Sequence, residues 1–66
     1  MSSSDAATLS SASSMLGDLV TRVTDVAKHY EGTDREDIVH QLHEVERALR
    51  VAGRQLDAAV RNIRDR

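Results

Sequence analysis

The sequence contains no cysteine, proline, tryptophan or phenylalanine, and Tyr30 is its single aromatic residue. Without cysteine the chain can form neither a disulfide nor a thiolate metal site, which excludes thiol redox chemistry. With one aromatic ring it has no stacking platform for nucleic-acid bases. A single core in a chain of 66 residues rarely supplies more than about 3–5 kcal/mol of stability. We therefore expect self-association to stabilise the fold.

Long hydrophobic runs are also missing. No segment approaches the roughly 20 apolar residues of a membrane span, and residues 1–14 lack the basic-then-apolar order of a secretory signal. The sequence thus predicts a cytoplasmic protein with no membrane partner. Its charge is uneven, because residues 1–46 carry three Lys/Arg against nine Asp/Glu and residues 47–66 carry six Arg against two Asp. This asymmetry favours docking of partners of opposite sign.

What the sequence does contain is two apolar stripes, one on each side of Gly32. Their members recur every three or four residues, at positions a and d of a heptad, and are called the a/d residues here. They are Leu9, Ala12, Leu16, Leu19, Val23, Val26 and Tyr30, then Ile38, Leu42, Val45, Leu49, Ala52, Leu56, Ala59 and Ile63. The spacing predicts an all-α fold, an antiparallel two-helix hairpin resembling a coiled coil and self-associating into a four-helix bundle. Position a of each helix is expected to face position d of the other.

The predicted boundaries follow from local signals. Residues 1–12 are rich in serine and are expected to be flexible or frayed: either a frayed helix begins near Ser4 and becomes firm by Met15, or a flexible tail extends to about residue 12. The hairpin then spans residues 13–66, with helix 1 at about 13–31, a turn at 32–33 and helix 2 at about 34–65. Gly32 suits the left-handed residue that ends a helix. Thr33 and Glu36 fit a capping box, in which each side chain binds the backbone amide of the other.

The positions next to the stripes differ in polarity. Heptad position e is small and apolar in both helices, apart from Glu46, whereas position g is mainly polar. We expect the e side to be a free strip that packs against a second hairpin. The alternative is a scatter of ordinary surface residues. The predicted oligomer interface is Val20, Ala27, Val39, Gly53 and Val60.

Five arginines lie at outward positions of helix 2, where they form an arginine stripe that could contact phosphate groups or a protein partner. They are Arg47, Arg50, Arg54, Arg61 and Arg64. The alternative is a solvated helix face. The predicted architecture resembles a dimeric hairpin regulator of plasmid copy number that binds nucleic acid, and the resemblance is confined to architecture.

The one cluster with ligand-like spacing is His40, His43 and Glu44. Residues three and four apart share a helix face, but a closed zinc site needs four ligands. We therefore expect a solvated face, no bound metal and no cofactor.

No catalytic constellation emerges from the sequence. Ser13, Ser14 and Asp18 lie close together, but His29 is at the far end of helix 1 and is not available as their base. The sequence favours a non-enzymatic protein–protein interaction module: a small adaptor, assembly factor or regulator acting as a homodimer, with a further unidentified protein partner. The main alternative is a nucleic-acid-associated regulator that uses the arginine stripe. A third is a subunit of a larger secretion or envelope complex.

Overall fold

The computed structural model describes residues 3–65, and these form two helices. Helix α1 spans Ser3–Tyr30 and helix α2 spans Glu36–Arg64. The helices pack side by side in a hairpin 51 Å long, 14 Å wide and 10 Å thick between Cα atoms. The described residues include no strand. The predicted all-helical hairpin is confirmed.

Helix α1 begins at Ser3, next to the start near Ser4 expected for a frayed helix and about ten residues before the start near residue 13 that a flexible tail implies. Ala6 is 3% exposed, so the first turns pack against α2. Asp5 places negative charge at the positive end of the helix, and the Thr8 hydroxyl donates to the Ser4 carbonyl at 2.8 Å. Tertiary packing thus overrides the weak helix propensity of the serines. Residues 1 and 2 lie outside the described part of the chain, and so does residue 66.

The connection between the helices spans residues 31–35. Gly32 adopts a positive φ of 75°, as predicted. The capping box is wrong in detail: Thr33 Oγ1 accepts from the amide of Arg35 at 3.1 Å, and Glu36 Oε1 accepts from the amide of Gly32 at 3.2 Å. The Thr33 hydroxyl itself donates to the Tyr30 carbonyl at 2.6 Å. Because the connection is longer than the predicted turn at 32–33, α2 begins at Glu36 and not at about residue 34.

An ion pair joins the last residue of the connection, Arg35, to Asp37 in the first turn of α2. The Asp37 carboxylate accepts hydrogen bonds from Arg35, at 3.1 Å from Nε and 3.2 Å from Nη2. These bonds lower the pKa of Asp37 and raise the pKa of Arg35. A carboxyl with a lowered pKa stabilises the fold above its unfolded-state pKa, and that contribution is lost as pH falls through the folded-state pKa. Both side chains are exposed, so solvent screening keeps the contribution small.

The seam between the helices is formed by heptad position e, called the e column here. Its members are Ala6, Ser13, Val20 and Ala27 of α1 and Val39, Glu46, Gly53 and Val60 of α2. Within the described residues, every buried side chain belongs to this column; Ala27 is 2% exposed, Val39 4% and Val60 6%. The small side chains of Ala6 and Ala27 let the helix backbones approach closely, and the remaining members, Ser13, Val20 and Gly53, are half-buried.

Two predictions are therefore wrong. The a/d residues do not form the centre of the seam, because none of them is buried in the hairpin. The e column is not a free strip, because Ala27, Val39 and Val60 are buried between the two helices, and Val20 and Gly53 are half-buried in the same column. The physical reason is size: half of the e column is alanine, serine or glycine and its largest apolar residue is valine, whereas the a/d residues include six leucines and two isoleucines.

Two interhelical hydrogen bonds define the register of the hairpin. The Ser13 hydroxyl donates to Asp57 Oδ1 at 2.8 Å, and the Thr24 hydroxyl donates to Glu46 Oε2 at 3.1 Å. The step from Ser13 to Thr24 equals the step back from Asp57 to Glu46, so both bonds report one antiparallel register. Side chains tilt towards the start of their own helix, which places the Cα atoms of Ala27 and Val39 at about the same level.

Alanine substitutions at the three glycines test the backbone conformation of the turn. An added Cβ at Gly17, Gly32 or Gly53 meets no atom within 4 Å, but Gly32 alone has a positive φ. Alanine at Gly17 or Gly53 should stabilise the fold by about 1 kcal/mol through helix propensity. Alanine at Gly32 should destabilise it by about 1 kcal/mol through left-handed strain. Urea unfolding followed by circular dichroism, at one protein concentration, measures both signs; a Gly32→Ala variant as stable as Gly17→Ala contradicts the turn geometry.

Candidate functional site

The fifteen a/d residues of both helices form one face along the hairpin, called the a/d face here. Every member is half-buried or exposed. Leu19 is 42% exposed and Val26 is 44% exposed, although both lie in the middle of long helices. Monomeric proteins rarely expose a continuous apolar patch that runs along the whole molecule. The face is thus the primary candidate for an interaction site.

The a/d face is continuous because of how the helices are rotated. In an antiparallel pair that packs through position e, the a and d positions of both helices lie on the same side of the seam. Position b of both helices lies on the other side, where Thr24 and Asp57 make the interhelical hydrogen bonds. The hairpin is therefore a two-helix layer with one apolar and one polar face.

The polar face contains a buried carboxylate. Glu46 is 7% exposed, and its Oε2 accepts from the Thr24 hydroxyl and lies 3.6 Å from Arg50 Nη2. Its Oε1 has no hydrogen-bond partner among the described residues; His43 Nε2 is 4.0 Å away. A buried charge with one oxygen unsatisfied lowers the stability of the seam.

The arginine stripe lies beside this carboxylate. Arg47, Arg50, Arg54, Arg61 and Arg64 are all exposed. The first three line an open groove of about 310 Å³ together with His43 and Glu46. Arg50 turns towards Glu46, so part of its charge is offset within the chain. The groove can accommodate an anionic group, but the carboxylate at its base opposes one.

The candidate metal ligands are not brought together. No group of three or more His, Cys, Asp or Glu side chains within residues 3–65 is arranged to hold a metal ion. His40, His43 and Glu44 are exposed, and His43 approaches Glu46 instead of Glu44. The solvated-face interpretation of this trio fits these positions.

Comparison with known proteins yields no relative, because no family model, curated protein or solved structure matches the chain. Neither α1 nor α2 is apolar enough along its length to cross a lipid bilayer, for the residues that the structure describes. The evidence for function therefore comes from the faces of the hairpin.

Sequence reasoning missed the link between Thr24 and Glu46. A signal was available, because Glu46 is the single charged residue in the e column and Thr24 is the hydroxyl at the neighbouring position b of the other helix. The pair was not predicted because the e column was interpreted as a free strip, and an exposed Glu46 would need no hydrogen-bond partner.

Removal of the Thr24 hydroxyl tests the burial of Glu46. Thr24→Val should lower the free energy of unfolding by about 1–3 kcal/mol, because a buried carboxylate loses its donor. Thr24→Val combined with Glu46→Leu should be at least as stable as the native chain, because the buried charge is gone.

The matched control is Thr21→Val. The Thr21 hydroxyl donates to the Gly17 carbonyl within its own helix, at an exposed position, so its loss should be close to neutral. Urea unfolding at one protein concentration gives the free energy of unfolding of the native chain and of the three variants. A double variant less stable than Thr24→Val alone would show that Glu46 stabilises the seam.

Proposed function

We propose that this protein is a non-enzymatic protein–protein interaction module: a small helical adaptor, assembly factor or regulator that acts through its a/d face as a homo-oligomer, with a further protein partner. The single observation that carries the proposal is that none of the fifteen a/d residues along one side of the hairpin is buried: Leu19, Val26 and Ala52 are exposed, and the other twelve are half-buried. An apolar face of this kind gains free energy in proportion to the area that a partner removes from water.

Two further observations support an interaction role over catalysis. The described helices form one thin layer, 10 Å thick between Cα atoms, and a thin layer offers little depth in which to desolvate a reacting group. The buried carboxylate of Glu46 is held by Thr24 in the seam, where it links the helices. The cytoplasmic location stays a prediction from the sequence.

Photo-crosslinking distinguishes the a/d face from the rest of the surface. Val26 and Val51 are 44% and 41% exposed, but Val26 belongs to the a/d face and Val51 lies on the outer side of α2. A benzophenone amino acid at position 26 should form protein adducts in cells of the native host, and the same probe at position 51 should form few. Equal labelling from both positions, or none from position 26, would refute the proposed role of the face.

The second candidate function is nucleic-acid association through the arginine stripe. The observation that favours it is the groove shared by Arg47, Arg50 and Arg54. Phosphate contacts are strongest at low salt, so a gel shift with duplex DNA and structured RNA at about 50 mM salt is the sensitive test. The interaction-module proposal predicts no shift. A shift that disappears in an Arg47→Gln, Arg54→Gln variant would favour the nucleic-acid function.

A further inference from the structure

The geometry points to a second copy of this chain as the occupant of the a/d face. The second hairpin lies inverted end to end on the first and completes a four-helix bundle. This inference rests on the proposed function, because it names the partner of the same face.

The first argument is the shortage of core in one hairpin. Among the described residues, the buried apolar side chains are Ala6, Ala27, Val39 and Val60, and two of these are alanines. Such a core is too small to hold two long helices together. The occupant is thus needed wherever the chain is folded, and a second copy is the one partner that is always present with it.

The second argument is the packing geometry. In an antiparallel four-helix bundle the a and d positions fill the centre, while positions e and g face the two neighbouring helices. The hairpin already packs through its e column, as one layer of such a bundle does. A simple two-stranded coiled coil would instead bury its a and d positions in the seam.

The third argument is the composition of position g, the edge left for the second hairpin. Its members are Thr8, Met15, Arg22, His29, Gln41, Ala48, Gln55 and Asn62. Arg22 is the sole Lys, Arg, Asp or Glu among them, and Met15 is 63% exposed. Depletion of charge around an apolar centre is typical of interface cores.

The available area fits a stable dimer. The Cα outline of the hairpin, 51 by 14 Å, has a footprint of about 700 Å² on each copy, and two such footprints, about 1,400 Å², match the standard size of specific interfaces.

Charge selects the inverted arrangement. The half next to the turn, residues 17–49, carries four Lys/Arg and eight Asp/Glu. The described part of the other half, residues 3–16 and 50–65, carries four Arg and three Asp. Two hairpins with turns at the same end would place two acidic halves together. Inversion places each acidic turn half beside the arginines of the other copy, which is favourable at low and moderate salt.

Inversion also makes a specific prediction about Met15, which lies near the midpoint of α1 (Ser3–Tyr30). A two-fold axis through the middle of the bundle brings α1 against the α1 of the other copy. The two copies of Met15 then lie close together, and so do the two copies of Ala48 in α2. The two copies of Thr8 lie far apart, near opposite ends.

Analytical ultracentrifugation of the full chain tests the second copy. We expect twice the 7.3 kDa mass of one chain, and helicity that falls together with dimer on dilution. Val26→Glu should weaken the dimer at least about tenfold by burying a charge, whereas Val51→Glu should change it less than about twofold. A helical monomer at every concentration, or an assembly other than a dimer, would overturn the inference.

Cysteine crosslinking tests the orientation without background, because the chain has no cysteine. Met15→Cys and Ala48→Cys should each form a dimer with a short bismaleimide, and Thr8→Cys should not. A dimer that fails to crosslink through residue 15 would overturn the inverted arrangement. If the chain is monomeric while a probe at position 26 still labels another protein in cells, the second copy is refuted and the proposed function stands. If position 26 labels nothing and the chain is monomeric, both fail.

Discussion

The close approach of the two helices along the e column is the constraint on which the other features depend. Alanine, serine and glycine at half of its positions make the column narrow, and Ala27 and Val39 are almost completely buried within it. Once the helices meet along the e column, the rotation of each helix about its own axis is determined. The a/d residues of both helices then lie on one side, and the hydroxyl and carboxylate groups of position b lie on the other.

This rotation gives the two faces different physical roles. The apolar face offers area to a partner, and association removes it from water. The polar face maintains the register, because the Ser13–Asp57 and Thr24–Glu46 bonds join the helices at two levels. A slip of one heptad, about 10 Å along the helix, would break both bonds and leave Glu46 without its donor. Burial of Glu46 lowers the stability of the hairpin, but it also favours a single register of the two helices.

Much of the fold could be predicted from the residues themselves. The three-and-four spacing predicts two helices, and Gly32 marks the turn because it alone tolerates a positive φ there without strain. The centre of the seam could not be predicted from that spacing. The heptad rule places the largest apolar residues between two strands of a coiled coil, but in a four-helix bundle those residues fill the middle of four helices. The small residues Ala6 and Ala27 were the signal for close packing, but small residues are equally compatible with a free strip and with a seam.

The start of α1 was left open between Ser4 and about residue 13 for a related reason. The low helix propensity of serine describes an isolated helix. In the hairpin Ala6 packs against α2, and this contact stabilises the first turns of α1. The candidate site was partly predictable: an apolar surface requiring a partner was expected, but on the wrong side of the helices, because the exposed face depends on which column forms the seam.

Contacts between methyl groups in solution test the central claim most directly. With selectively labelled alanine, leucine and valine methyls, nuclear Overhauser effects should connect Ala27 with Val39 and Ala6 with Val60, since the e column pairs them across the seam. If those effects are absent while Val26 and Leu42 show the strongest interhelical contact, the helices meet through their a/d residues, and the account of the exposed face is wrong.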